Sequence, residues 1–86
     1  MSIGEVKAAL DEARHLLDQS RTTIEGIGAS LDEAAGVMLP TMHDSRREEA
    51  EKARRALAEA IREVTLTLRV ITSAQESADE FRRALG

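Results

Sequence analysis

Glu12 and His15 stand three residues apart, the Glu-x-x-His spacing with which carboxylate-bridged di-iron bundles hold metal, and a dimer would supply two copies. Such ligands must project inward. Leu10, Ala13 and Leu17 mark the apolar side of the same segment, which turns Glu12 and His15 outward. No further Glu stands on an apolar stripe to complete a ligand set. His43 beside Asp44 has the make-up of half a proton relay, although a cap or a solvated turn accounts for the pair equally well. No Ser, Cys or Lys is placed to act as an activated nucleophile. Gly26-Ile27-Gly28 lacks the third glycine, the preceding strand and the βαβ setting of a phosphate loop. The expectation is a non-enzyme with no catalytic residues, no metal, no cofactor and no small-molecule substrate.

Charge chemistry is the remaining candidate. Arg55, Arg62, Arg69 and Arg83 share one helical position, with Glu76 interrupting the row. A row of this kind could read phosphate or an acidic protein surface. Glu51, Glu59, Glu63, Asp79 and Glu80 flank it closely, so a solvated mixed face is the plainer reading. The net charge is −4; residues 1–43 carry three bases against seven acids, and residues 44–86 carry nine of each. Neither half is a basic patch, and nucleic acid is not an expected partner.

The elements that carry these residues are two long amphipathic helices. In residues 45–85, Ala50, Leu57, Val64, Ile71, Ala78 and Leu85 fall at every seventh position. Ala53, Ala60, Ala74 and Phe81 complete an a/d pattern that Thr67 alone breaks. Ser45 followed by Glu48 has capping-box spacing and predicts the start of this helix. In the first half, Ile3, Leu10, Leu17, Ile24, Leu31 and Met38 repeat at sevens, with Val6, Ala13, Ser20, Ile27 and Ala34 at d. Ser2 and Glu5 predict its start. Gly26 and Gly28 weaken it, yet the heptad phase runs on across them, which predicts an unbroken helix. Lys7, Asp11, Arg14, Asp18, Arg21 and Glu25 form an alternating ribbon that reads as a solvated face. Leu39-Pro40 predicts the helix end, since the residue before proline avoids the helical region. A β-branched run, VTLTLRVIT at residues 64–72, alternates like a strand, but helical sequence on both sides and the lack of a partner strand make it helix. The result is one all-α domain over residues 1–86, an antiparallel two-helix hairpin with arms of about 3–38 and 45–84 around a turn at 39–44.

A hairpin this small supplies only a few kcal/mol from its own core, and without cysteine it has no disulfide staple. Oligomerisation is the expected remedy. Around residues 61–71 the second helix is apolar beyond one stripe, which singles out Ile61, Leu66, Leu68, Val70 and Ile71 as a partner interface. In the expected dimer the second helices meet near Leu66 and Val70 and form a four-helix bundle. The partner is a second copy, or a related helical hairpin in a heterodimer. No apolar run approaches a membrane span. The first ten residues lack the basic and apolar regions of a secretory signal, so the expected location is cytoplasmic, or exported without a classical signal peptide.

The opening Met1-Ser2-Ile3-x-Glu5-Val6, the Leu31-Asp32-Glu33-Ala34 segment, the short turn and the longer Ala-rich second helix resemble the WXG-type (early-secreted-antigen-like) helical-hairpin proteins of actinobacterial type VII secretion. The turn has no Trp-x-Gly, and the carboxy-terminal stretch from Glu80 to Leu85 has no Tyr-x-x-x-Asp/Glu export signal, although Phe81 could occupy the place of its aromatic. The resemblance implies a hairpin that pairs antiparallel with another into a four-helix dimer, and a protein–protein interaction module associated with type VII secretion. The competing reading is a small cytosolic helical regulator, or a nucleic-acid-associated factor using the arginine row.

Overall fold

A computed structural model describes residues 1–86 as two α-helices, α1 (Ile3–Met42) and α2 (Glu48–Leu85), joined by residues 43–47. They lie antiparallel in a rod of 62 × 16 × 16 Å. There is no strand; residues 64–72 are helical throughout.

Both helix starts follow from local chemistry, though not in the same way. The Ser2 hydroxyl accepts the Glu5 amide N–H at 3.1 Å, capping α1 as its spacing predicts. At α2 the expected Ser45–Glu48 box does not form. Arg47 is the N-cap, with no side-chain bond, and Ser45 Oγ instead accepts the Arg47 amide at 3.4 Å. Glu48, Glu49 and Glu51 favour this end through the helix dipole.

The end of α1 corrects the expected stop before Pro40. The helix runs through the proline to Met42. Only the bond to the Gly36 carbonyl is forfeited, one turn from the end, and Gly36 is exposed to water. The Thr41 hydroxyl donates to the Val37 carbonyl at 3.0 Å, and Arg54 reaches across from α2 to donate to the carbonyls of Met42 (2.8 Å) and Ser45 (3.1 Å). A guanidinium thereby holds the last carbonyl of α1 together with one in the turn.

The seam is rotated relative to the a/d ladder. The a residues Leu10, Leu17, Ile24 and Leu31 are half-buried, as expected, but Ala13, Ser20 and Ile27 at d are exposed. Position e takes their place: Arg21, Gly28 and Ala35 on α1, and Ile61, Leu68, Gln75 and Arg82 on α2. Size explains the rotation. On α2 the e residues Ile61 and Leu68 bury more apolar area than the d residues Thr67 and Ala74. Gly28 shares a shallow groove with Ile61, Val64 and Leu68, and a Cβ placed there would lie 3.2 Å from Val64 Cγ1. The glycine that looked like a soft spot is a point of close approach.

The rotation also corrects the reading of the charged ribbon. Asp11 accepts from Arg82 Nε at 2.8 Å and Nη2 at 3.1 Å, and Arg14 stands 3.5 Å from Asp79. Arg21 Nη2 donates to Thr72 Oγ1 and to Gln75 Oε1, both at 2.7 Å, while Gln75 Nε2 donates to Asp18 at 2.6 Å. Lys7 donates to the Gly86 carbonyl oxygen. Five ribbon residues therefore cross the seam and set the antiparallel register; Glu25 alone makes no such contact.

Hydrogen bonding by the Arg82 guanidinium holds the Asp11 carboxyl below its ordinary range. A carboxylate depressed in the folded state adds stability above its unfolded pKa, about 3.9, and loses it as pH falls below that value. Asp11→Asn is therefore expected to lower the melting temperature slightly at neutral pH. In thermal melts taken downward from pH 7 the difference from wild type should shrink as pH falls below about 3.9 and through the depressed pKa of Asp11. A difference that persists there would show that the pair acts by shape alone.

Candidate interaction face

The rotation of the seam leaves the g columns and most of the d columns of both helices exposed; Val6, Ala34, Ala53 and Ala60 at d stay half-buried. In a right-handed helix these columns lie to one side of an a/e seam, and b lies to the other. Because the helices are antiparallel, both d/g sides fall on the same face of the rod, opposite the polar flank made by Asp11, Arg82, Arg14 and Asp79. From Val6 to Val37 and from Ala53 to Ala84 this face presents twenty residues, of which Glu63 alone is charged. The ribbon on the opposite flank is charged at almost every position, so the two sides of one rod differ sharply.

The face is open to solvent. Leu16 is 53% exposed, Ile27 46%, Val70 68% and Phe81 52%. Between them stand small residues, Ala9, Ala13, Ser20 and Thr23 on α1, and Ala56, Thr67, Ala74 and Ser77 on α2, all exposed. Ala34, Ala53 and Ala60, toward the turn, are half-buried between the helices. A shallow groove along α1 is lined by Leu16, Gln19, Ser20, Thr23 and Ile24.

Three of the five expected interface residues are occupied within the hairpin. Ile61, Leu68 and Ile71 are half-buried against α1, which corrects the view of Ile61 and Leu68 as a free margin. Val70 lies at the rim of the uncharged face. Leu66 is exposed on the back of α2, in a column with Lys52, Glu59, Ser73 and Glu80. Leu16 and Phe81 are not among the expected interface residues, because a/d periodicity assigns d to the seam and g to solvent. The missing charge along both d/g columns was the signal that pointed to them.

The remaining candidates are solvated. Glu12 and His15 are exposed, and the His15 ring nitrogen lies 3.1 Å from the Gln19 amide. His43 contacts Asp44 at 3.2 Å and the Pro40 carbonyl at 3.0 Å in the turn. Arg55, Arg62, Arg69 and Arg83 are all exposed along the outer side of α2. No three His, Cys, Asp or Glu side chains converge on a common point. No helix is long and apolar enough to cross a membrane. Comparison with protein-family models, with curated proteins and with solved structures returns no match. The reading of this chain rests on its own geometry.

Proposed function

We propose that this chain is a non-catalytic protein–protein interaction module that works as a dimer or as one half of a complex. Its uncharged d/g face packs against another helical hairpin to complete a four-helix bundle. The observation that carries this reading is the lack of a core. Ala50 is the single buried residue, and 6436 Å² of surface remains exposed. A compact monomer of 9.4 kDa exposes roughly 5,000 Å². The excess, about 1,400 Å², exceeds the roughly 800 Å² per partner of a standard interface. The Met1-Ser2-Ile3-x-Glu5-Val6 opening and the Leu31-Asp32-Glu33-Ala34 segment support type VII secretion as the setting of such a complex, which co-purification with secretion components would test.

Light scattering tests the reading directly. The wild-type chain, alone or co-expressed with a partner hairpin, is expected to run at about twice the 9.4 kDa monomer mass. Leu16→Glu combined with Phe81→Glu places two charges on the face and should return it to the monomer. Leu66→Glu, on the back of α2, should leave the mass unchanged. A double variant that associates as the wild type does would refute the assignment of the face.

A further inference from the structure

We infer that the flank opposite the uncharged face carries a separate docking surface, a groove between α1 and α2 that takes one amphipathic helix of another protein, basic along one edge and acidic along the other. It stands whether or not the uncharged face is covered. The starting point is a gap in the bonds that cross the seam. These run from Lys7 to Arg21 on α1 and resume only where Arg54 reaches the carbonyls of Met42 and Ser45. The open stretch from Arg21 to Met42 is about 31 Å long at 1.5 Å per residue, half of the 62 Å rod.

Within that stretch the flank changes character. The bonds of Arg21 to Thr72 and of Asp11 to Arg82 set the register, which places Glu25 level with Leu68 and Asp32 level with Ile61. A shallow groove lies at these levels, lined by Gly28, Ile61, Val64 and Leu68, with Glu25 and Asp32 on its α1 side. Both carboxylates are exposed, and neither takes part in an ion pair. No Lys or Arg stands on α1 from Thr22 to Met42 to serve them. On the α2 side Arg62 and Arg69 are exposed and equally unpaired. Arg69 borders a second shallow groove, which shares Thr65 and Leu68 with the first. The groove therefore has apolar side chains along its length, an acidic rim and a basic rim.

Charge complementarity names the occupant. Glu25 and Asp32 are seven residues apart, as are Arg62 and Arg69, so each pair spans about 10.5 Å along its helix. An incoming helix presents the same side every seven residues. With Lys or Arg at i and i+7 on one edge and Asp or Glu at i and i+7 on the other, it meets both rims at once. The apolar stripe between those edges covers what remains exposed of Ile61, Val64 and Leu68. Reversing a helix exchanges its edges, so the two rims also decide the direction in which it lies. A nucleic acid or an anionic membrane surface carries one sign of charge and would be repelled by the acidic rim. The length of the open stretch suits one helix of about 20 residues, whereas an arm such as α1 is 40 residues long.

A fluorescein-labelled peptide of about 20 residues serves as the probe, with leucine at i, i+4, i+7 and i+11, two lysines seven apart on one edge and two glutamates seven apart on the other. Fluorescence anisotropy against the full chain is expected to show saturable binding that weakens as salt rises. Glu25→Lys combined with Asp32→Lys should weaken it at least about tenfold and transfer the preference to a peptide with glutamate on both edges. Both positions are exposed and unpaired, so the double variant should melt as the wild type does. Should the reversal disturb the fold, Glu25→Gln with Asp32→Asn reads the same loss without it. Leu16→Glu with Phe81→Glu should leave peptide binding unchanged. Loss of binding in that variant would place the peptide on the uncharged face and overturn the second surface. No binding at all, or equal binding with and without the two carboxylates, would overturn it as well. None of these results touches the interaction reading of the uncharged face, which stands or falls on the mass measured by light scattering.

Discussion

Replacing Leu68 with Asp is expected to abolish the cooperative helical fold, while Leu66→Asp, two residues earlier, leaves it standing. Leu68 sits half-buried at position e, over the opening left by Gly28; Leu66 is 41% exposed on the far side of the same helix. Burial of a leucine side chain contributes about 1.5–3 kcal/mol. Aspartate forfeits that contribution and adds the cost of a carboxylate placed beside Ile61, Val64 and α1. Against the few kcal/mol that a hairpin of this size holds in reserve, the loss is decisive. Circular dichroism at 222 nm through a thermal melt would show a low, sloping signal for Leu68→Asp and a near wild-type transition for Leu66→Asp. Equal losses from both substitutions would mean that the seam does not run along a/e.

The two helical glycines of the central α1 are expected to respond with opposite sign. A Cβ at Gly26 meets nothing within 4 Å, so Gly26→Ala should simply recover helix propensity, about 1 kcal/mol. For a domain of this length that is a rise of roughly 4–8 °C in melting temperature. At Gly28 the Cβ itself would stand 3.2 Å from Val64 Cγ1. Gly28→Ile adds a branched side chain with one favoured helical rotamer, which forces α1 and α2 apart at the level of Ile61 and Leu68. Overpacking of this sort costs about 1–3 kcal/mol, outweighing the propensity gained. Differential scanning calorimetry of the two variants decides the matter. A higher melting temperature for Gly28→Ile would show that the close approach of the helices is dispensable.

These effects share one cause: the hairpin uses its two flanks differently. On one flank Asp11, Arg14, Asp18 and Arg21 find partners on α2, so these charges also set the register of the rod. Each exposed ion pair is worth little alone, but a wrong register would leave the whole series unmatched. On the other flank, from Leu16 to Ile27 and from Val70 to Phe81, nothing within the chain supplies a cover. The first flank specifies the fold, and the second offers an interface.

Much of this architecture was legible from residue order alone. Heptad spacing from Ile3 to Met38 and from Ala50 to Leu85 set two helices, and it set the continuity of the first across Gly26 and Gly28, because apolar period and propensity are local properties. The Ser2–Glu5 cap was legible for the same reason. Three features needed the tertiary structure. Pro40 stays helical because the one carbonyl it frees, that of Gly36, is exposed to water, and Arg54, twelve residues beyond Met42, holds the Met42 carbonyl at the helix end, a contact no local rule contains. Lys7, Arg14 and Arg21 face α2 because the seam rotates to a/e, and that rotation follows from Ile61 and Leu68 meeting the gap at Gly28 on the other helix. Leu16 and Phe81 were left exposed by the same turn of roughly 50°. A heptad repeat fixes which residues share a column, whereas the relative bulk of the α2 columns, Ile61 and Leu68 at e against Thr67 and Ala74 at d, decides which column faces inward.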